Sequence, residues 1–289
     1  MDQRYDRAAE DLGNIVNFGH LNLAIGDQIR STAYYVSGLG LTRDPYVNTG
    51  IGNMWVNVGV SQFHLPTGKP ERFRGIAGLV VPDRGELLER LESVRKPLEG
   101  TQFAFRDGND AVETTCPWGN RIHCHAPDEA RFGKVALGVA YLEFEVRPGT
   151  ASGIVRFYRE IVGAQAALAG NGGGPCAKVT VGAGQTFLFR ETDAPEAPYD
   201  GHHVQVYVCD FSGPYRKLME RGLIFQESNQ HQYRFKDIVD LDSGTVLFTI
   251  DHEVRSLQHP FYGRPLINRD PSQTVQHYRP GRDQLASSM

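Results

Sequence analysis

Histidines and carboxylates recur in this chain on short apolar runs, at spacings that would put them on shared faces of strands. Side chains alternate across a strand. In residues 19–25, His20 and Asn22 therefore face one way while Leu21 and Leu23 face the other. By the same rule Gln62 pairs with His64, and Arg121, His123 and His125 share a face. Tyr141, Glu143 and Glu145 form a further set, and His203, Gln205 and Tyr207 another. Neutral imidazoles and carboxylates bind metals and move protons, so each polar face is a candidate site. Glu143, His125 and Tyr207 are the candidates for general acid–base work. No Ser/His/Asp or Cys/His order points to a covalent nucleophile.

The elements that must position these residues form a recurring series. Four strands, at 19–25, 75–81, 141–146 and 203–208, each lead into an amphipathic helix and then into three more strands. Repetition of one unit fixes the architecture before any motif is consulted. In the first unit Asp27 is the N-cap of a helix over 28–38, with Ile29, Ala33, Tyr34 and Val36 at helical spacing. Strands are expected at 41–47, 53–58 and 61–65. The second unit has a helix over 84–94 with Leu87, Leu88 and Leu91 inward, then strands at 102–105, 111–116 and 121–125. In the third, Ile154, Phe157, Tyr158 and Ile161 face inward, and the glycine-rich 170–174 is a hairpin connection, since no phosphate-binding loop motif is present. The fourth helix carries Tyr215, Leu218 and Met219.

A four-stranded unit covered on one face by its helix leaves the other face bare, so units must pair. The expected fold is α+β: four tandem βαβββ modules forming two incompletely closed eight-stranded barrels with helices outside. Pairing modules adjacent in sequence gives an N-terminal domain at 15–131, a C-terminal domain at 132–268 and a polar tail at 269–289.

Bulk properties narrow the function. A net charge of −4 over 289 residues, with no Lys/Arg run, argues against a nucleic-acid partner. Cys116, Cys124, Cys176 and Cys209 lack zinc-knot spacing, and free thiols are expected, although Cys116 and Cys124 fall on neighbouring strands. No apolar stretch nears the length of a membrane span. The expectation is a cytoplasmic protein with a small-molecule substrate, no membrane partner, and sheet edges that leave room for a homodimer.

Certain residues also carry a family likeness. They are the strand opening with His20, Tyr34-Tyr35 followed by Gly38-Leu39-Gly40-Leu41, and the similar Phe157-Tyr158 with Ile161-Val162-Gly163. With them goes Pro117-Trp118-Gly119-Asn120-Arg121-Ile122-His123. In order and fourfold recurrence these resemble the vicinal oxygen chelate superfamily, which includes glyoxalases, bleomycin- and fosfomycin-resistance proteins and extradiol dioxygenases. The resemblance covers residues 18–254. It implies a divalent metal held by residues from the first and last strands of the modules, and a substrate chelating through two adjacent oxygens. Carried onto this chain, the implied ligands are His20, His64 and His123, the fourth position falling near Ile76. Three imidazoles suit zinc, iron, manganese or nickel.

The alternative is a site at Glu143 and His203. The dioxygenase triad reads Tyr141 or Glu143, His203 and about Phe248, so one of its three ligands survives. His252, Glu253 and His259 read as a solvated or interface segment, with Arg255 and Arg264 pairing to nearby carboxylates. Trp55 and Trp118 read as packing or rim residues. Two functions compete: a metal-dependent lyase, isomerase or dioxygenase, and a metal-free binding or resistance protein of the same fold.

Overall fold

The computed structural model describes residues 5–47, 49–170, 174–270 and 273. Most of the expected polar tail, and the middle of the glycine-rich 170–174 loop, lie outside these residues. Four β-α-β-β-β series follow one another. The first comprises β1 (Ile15–Asn22), β2 (Thr42–Arg43), β3 (Asn53–Val58) and β4 (Ser61–Pro66). The second has β5 (Gly75–Val80), β6 (Ala104–Asp107), β7 (Val112–Thr115) and β8 (Arg121–His125). The third has β9 (Gly138–Val146), β10 (Ala166–Gly170), β11 (Pro175–Gly182) and β12 (Gln185–Glu191). The fourth has β13 (His203–Val208), β14 (Ile224–Asn229), β15 (Gln232–Val239) and β16 (Val246–Ser256).

These strands build two eight-stranded sheets, ordered β14-β15-β16-β13-β1-β4-β3-β2 and β10-β11-β12-β9-β5-β8-β7-β6. The expectation that sequence-adjacent modules share a sheet throughout is corrected here. Modules two and three do pair, through antiparallel β5 and β9. Module one pairs instead with module four, through antiparallel β1 and β13. Once the two middle modules have joined by their opening strands, the opening strands of the outer two are left to satisfy each other's backbone groups. Each sheet therefore takes one module from either side of the division expected at 131/132.

The apolar sides of both sheets and the inner sides of the helices form one core. Phe18 on β1 meets Phe187 on β12 with ring centroids 5.5 Å apart, and Phe144 stacks on Phe189 at 4.7 Å. Asp27 caps the first helix by accepting from the Arg30 N–H at 2.7 Å. That helix is α-helical only over Gln28–Ser31 and continues as a π-helix over Thr32–Gly38. The widened turn faces Tyr34 and Tyr35 into the core and leaves Ile29, expected inward, on the surface. The third module repeats the device, with an α-helix over Ala151–Phe157 and a π-helix over Tyr158–Val162. All four cysteines are free thiols.

Candidate metal centre

Register, rather than proximity in sequence, assembles the polar face of the first sheet. On β1 and β4, His20 lies opposite Gln62 and Asn22 opposite His64. On β13 and β16, His203 lies opposite Asp251 and Gln205 opposite Glu253. Antiparallel pairing of β1 with β13 then sets His20 against Gln205 and Asn22 against His203. His64 and Glu253 are thus equivalent, each across from the residue two places after its module's opening histidine. Leu21 and Val204, on the opposite face, go into the core.

Three imidazoles converge there. One nitrogen from each of His20, His64 and His203 lies within 4.8 Å of the others. The Nε2 atoms of His20 and His203 are 3.3 Å apart. Trp55 on β3 stacks on the His64 ring, centroids 3.9 Å apart and planes 14° from parallel. The Asn22 side-chain amide hydrogen-bonds His64 Nδ1 at 2.7 Å, which leaves the buried Nε2 without a partner. Burial lowers the His64 pKa to about 3 and holds that of His20 well below its ordinary value. Both rings are neutral at pH 7, as a ligand imidazole must be.

Glu253 closes the group. It lies 3.4 Å from His203 Nε2 and ion-pairs with Arg234 and, at 2.5 Å, with Arg255. Arg234 also pairs with Asp251 at 2.8 Å and approaches His203 Nε2 at 3.3 Å. Burial alone would raise the Glu253 pKa. The His203 hydrogen bond and the charges around it, Arg255 among them, outweigh burial and keep the carboxylate ionised. An unpartnered buried nitrogen, two abutting Nε2 atoms and an adjacent carboxylate together fit a divalent cation.

The sequence expectation for the third ligand is corrected. His123 stands on β8 in the other sheet, opposite Gly78, so it cannot join His20 and His64. It occupies the place equivalent to His64 there. The positions matching His20, His203 and Glu253 are Ile76, Tyr141 and Leu188. Gly78 makes room for the Tyr141 ring, since a Cβ at Gly78 would sit 2.1 Å from it. Tyr141 in turn reaches His125 Nε2 at 3.0 Å. One imidazole among three non-ligands makes no metal site.

Glu143 and His203, the alternative pair, are separated into different sheets. Glu143 is engaged by Arg190 at 2.9 Å. Of the acid–base candidates, Glu143 and His125 belong to the second sheet, and only Tyr207 lies on the face that carries the three histidines. Segment 252–253, expected to be solvated, is instead buried strand. His252 stacks on Phe235 at 4.3 Å and bonds the Tyr158 hydroxyl at 2.6 Å. The fourth-module position falls at Glu253 and not near Phe248, on a last strand of eleven residues. The usable signal was Glu253 itself, three residues before the strand's end.

Beside His20 opens a cavity of about 350 Å³, lined by Asn17, Gln205, Tyr207 and Arg255 and roofed by Phe261 to Asn268. The roof is pinned by Arg264, which forks onto Asp44 at 2.8 and 3.1 Å, and by Asn268, which bonds both backbone groups of Gly59 at 2.9 Å. Arg255 and Arg264 do pair with carboxylates, as expected.

No family model matches the sequence, and no curated protein matches it. Solved structures do. Glyoxalase I from Zea mays aligns with a TM-score of 0.56 at 12% identity, covering 83% of this chain and 92% of its own. A provisionally named dioxygenase from Bacillus subtilis aligns at 0.54 and 14% identity, covering 84% and 86%. The fold is that of glyoxalase I and of the dioxygenase-like structure. On one sheet face of this fold, the opening and last strands bring His20, His64, His203 and Glu253 together. No helix among the described residues is long and apolar enough to cross a membrane.

Proposed function

We propose that this chain is a metal-dependent enzyme acting on a small substrate with vicinal oxygens, through lyase, isomerase or dioxygenase chemistry. The observation that carries the reading is the occupation of all four register-equivalent positions of one sheet by His20, His64, His203 and Glu253, while the second sheet keeps one. His20, His64 and His203 would hold the cation, with Glu253 as a fourth ligand or as the group beside it. The cation, of the zinc, iron, manganese or nickel kind, would polarise a chelated oxygen.

This chain's own residues supply the rest. Trp55 fixes the plane of His64 and Asn22 its rotation. Glu253, held ionised by Arg234 and Arg255, is a fixed negative charge beside the cation rather than a proton acceptor. Arg255 contacts both Glu253 and the Tyr207 hydroxyl, at 3.5 Å for the latter, and so ties the carboxylate to the cavity wall. Residues 261–268 cover one side of the cavity.

A metal-free binding protein is the second reading, and the arginine clamp on Glu253 favours it: Arg234 and Arg255 already neutralise the charge that a cation would otherwise meet. Metal analysis of purified protein, followed by titration of zinc, manganese and iron(II) into chelator-stripped protein, separates the two. One equivalent bound, and lost in His203→Ala, supports the enzyme. No binding of any of the three leaves the binding protein.

A further inference from the structure

The cavity beside His20 holds polar atoms that nothing in the protein satisfies. Gln205 is 1% exposed and lines the cavity, yet both its amide nitrogen and its amide oxygen lack a partner. Asn17, diagonal to it across β1, also faces the cavity with a buried, unpartnered Oδ1. Buried amides without partners are uncommon in native proteins, and a pair of them opening on one chamber marks a ligand group. Gly19 completes the arrangement. A Cβ there would stand 1.8 Å from Gln205 Oε1, so the absent side chain is the bed on which this amide rests.

Other polar groups of the chamber are already engaged. Gln62 donates to Asp44 and Asn57 at 3.0 and 2.7 Å, Arg264 is forked onto Asp44, and Arg255 is paired with Glu253. The cations of the chamber are thus matched by carboxylates, which argues against a pocket built for an anion. The buried atoms left without a partner are Gln205 Nε2 and Oε1, Asn17 Oδ1 and Arg264 Nε.

We infer that Gln205 and Asn17, seated over Gly19, form a subsite for a primary carboxamide or ureido group of the substrate. The carboxamide oxygen accepts from Gln205 Nε2, one amide hydrogen donates to Gln205 Oε1, and the other donates to Asn17 Oδ1. Val60, Phe261 and Leu266 supply apolar wall for a compact body of about one ring. This assignment rests on the reading of His20 and its neighbours as the reactive end of the same chamber, so the substrate would carry its carboxamide beside the group presented to them.

Ligand-observed NMR and calorimetry with benzamide, benzoate and acetophenone test it, on the full chain, stripped of metal and again with zinc added. Benzamide should bind best, and at least tenfold more weakly to both Gln205→Leu and Gln205→Glu, since a site made to hydrogen-bond a group discriminates strongly against its loss. Zinc binding should be unchanged in Gln205→Leu. A preference for benzoate, equal binding of acetophenone, no binding of the three, or a benzamide affinity indifferent to Gln205 would each overturn it. Benzamide binding without zinc binding would keep the carboxamide subsite and remove the metal reading. Zinc binding without benzamide binding would do the reverse.

Discussion

His64 and Glu253 hold one structural position in two modules: each stands on the last strand of its module, across from the second residue after the opening histidine. One is an imidazole stacked under Trp55, the other a carboxylate gripped by arginines. The sheet face is symmetric in backbone and asymmetric in chemistry.

Metal content divides the histidines. His20→Ala and His203→Ala are expected to lower zinc or manganese affinity by a hundredfold or more, whereas His123→Ala, in the other sheet, leaves it as in wild type. Inductively coupled plasma mass spectrometry on dialysed variants reads this directly. Equal metal in His123→Ala and wild type with loss in His203→Ala is the expected pattern.

Trp55 should report occupancy. Its ring lies 3.9 Å from that of His64, while Trp118 donates to Ser31 at 3.0 Å, far along the chain from the site residues. Titrating nickel or copper, which quench, should dim tryptophan emission in wild type and in Trp118→Phe. The same titration should leave Trp55→Phe nearly flat.

Removing Arg234 leaves the buried Glu253 and Asp251 carboxylates short of a partner. Breaking a buried pair from one side costs about 3–5 kcal/mol. Arg234→Met should therefore melt well below wild type. A bound cation would take over part of the arginine's task, and saturation at ~100 times the dissociation constant would restore about 2.7 kcal/mol. Thermal melts with and without zinc check both halves. A variant that melts low and ignores zinc would place Glu253 outside the metal's reach.

The roof should loosen in acid. Burial by itself would raise the Asp44 pKa, but hydrogen bonds from Arg264 and from the Val47 and Tyr46 amides bring it below the ordinary 3.8. A lowered folded-state value means the stabilisation is complete above the unfolded value and disappears as pH falls through the folded one. Hydrogen exchange in 257–268 should accelerate below about pH 4. In Asp44→Asn that segment should exchange fast at neutral pH too, with little further change on acidification.

Much of this architecture was legible because strand alternation holds over 20–22, 62–64 and 203–205. His20, Asn22, His64, His203 and Gln205 fall on the faces that a period of two assigns to them, and Asp27 caps the helix it was expected to cap. Partner choice was not legible. Which modules share a sheet depends on how β1, β5, β9 and β13 satisfy one another, and no local residue pattern encodes it. That single gap sent His123 to a site it does not reach and left His203 with Glu143. Glu253 was missed for a different reason: a long strand moved the equivalent position five residues beyond where shorter strands would put it. The π-helical turns were illegible too, because the extra residue per turn at Tyr34–Tyr35 answers to core packing and not to propensity.

The nesting of one sheet inside the other orders events at birth. As the chain leaves the ribosome, the inner pair of modules can find each other while His203 and Glu253 are still unmade. His20 then waits through 183 residues for His203, the separation at which their rings finally touch. Closing so wide a loop is slow. A truncated product would therefore carry one finished sheet and an unfinished, metal-blind remainder, whose bare β1 is the strand most in need of a chaperone.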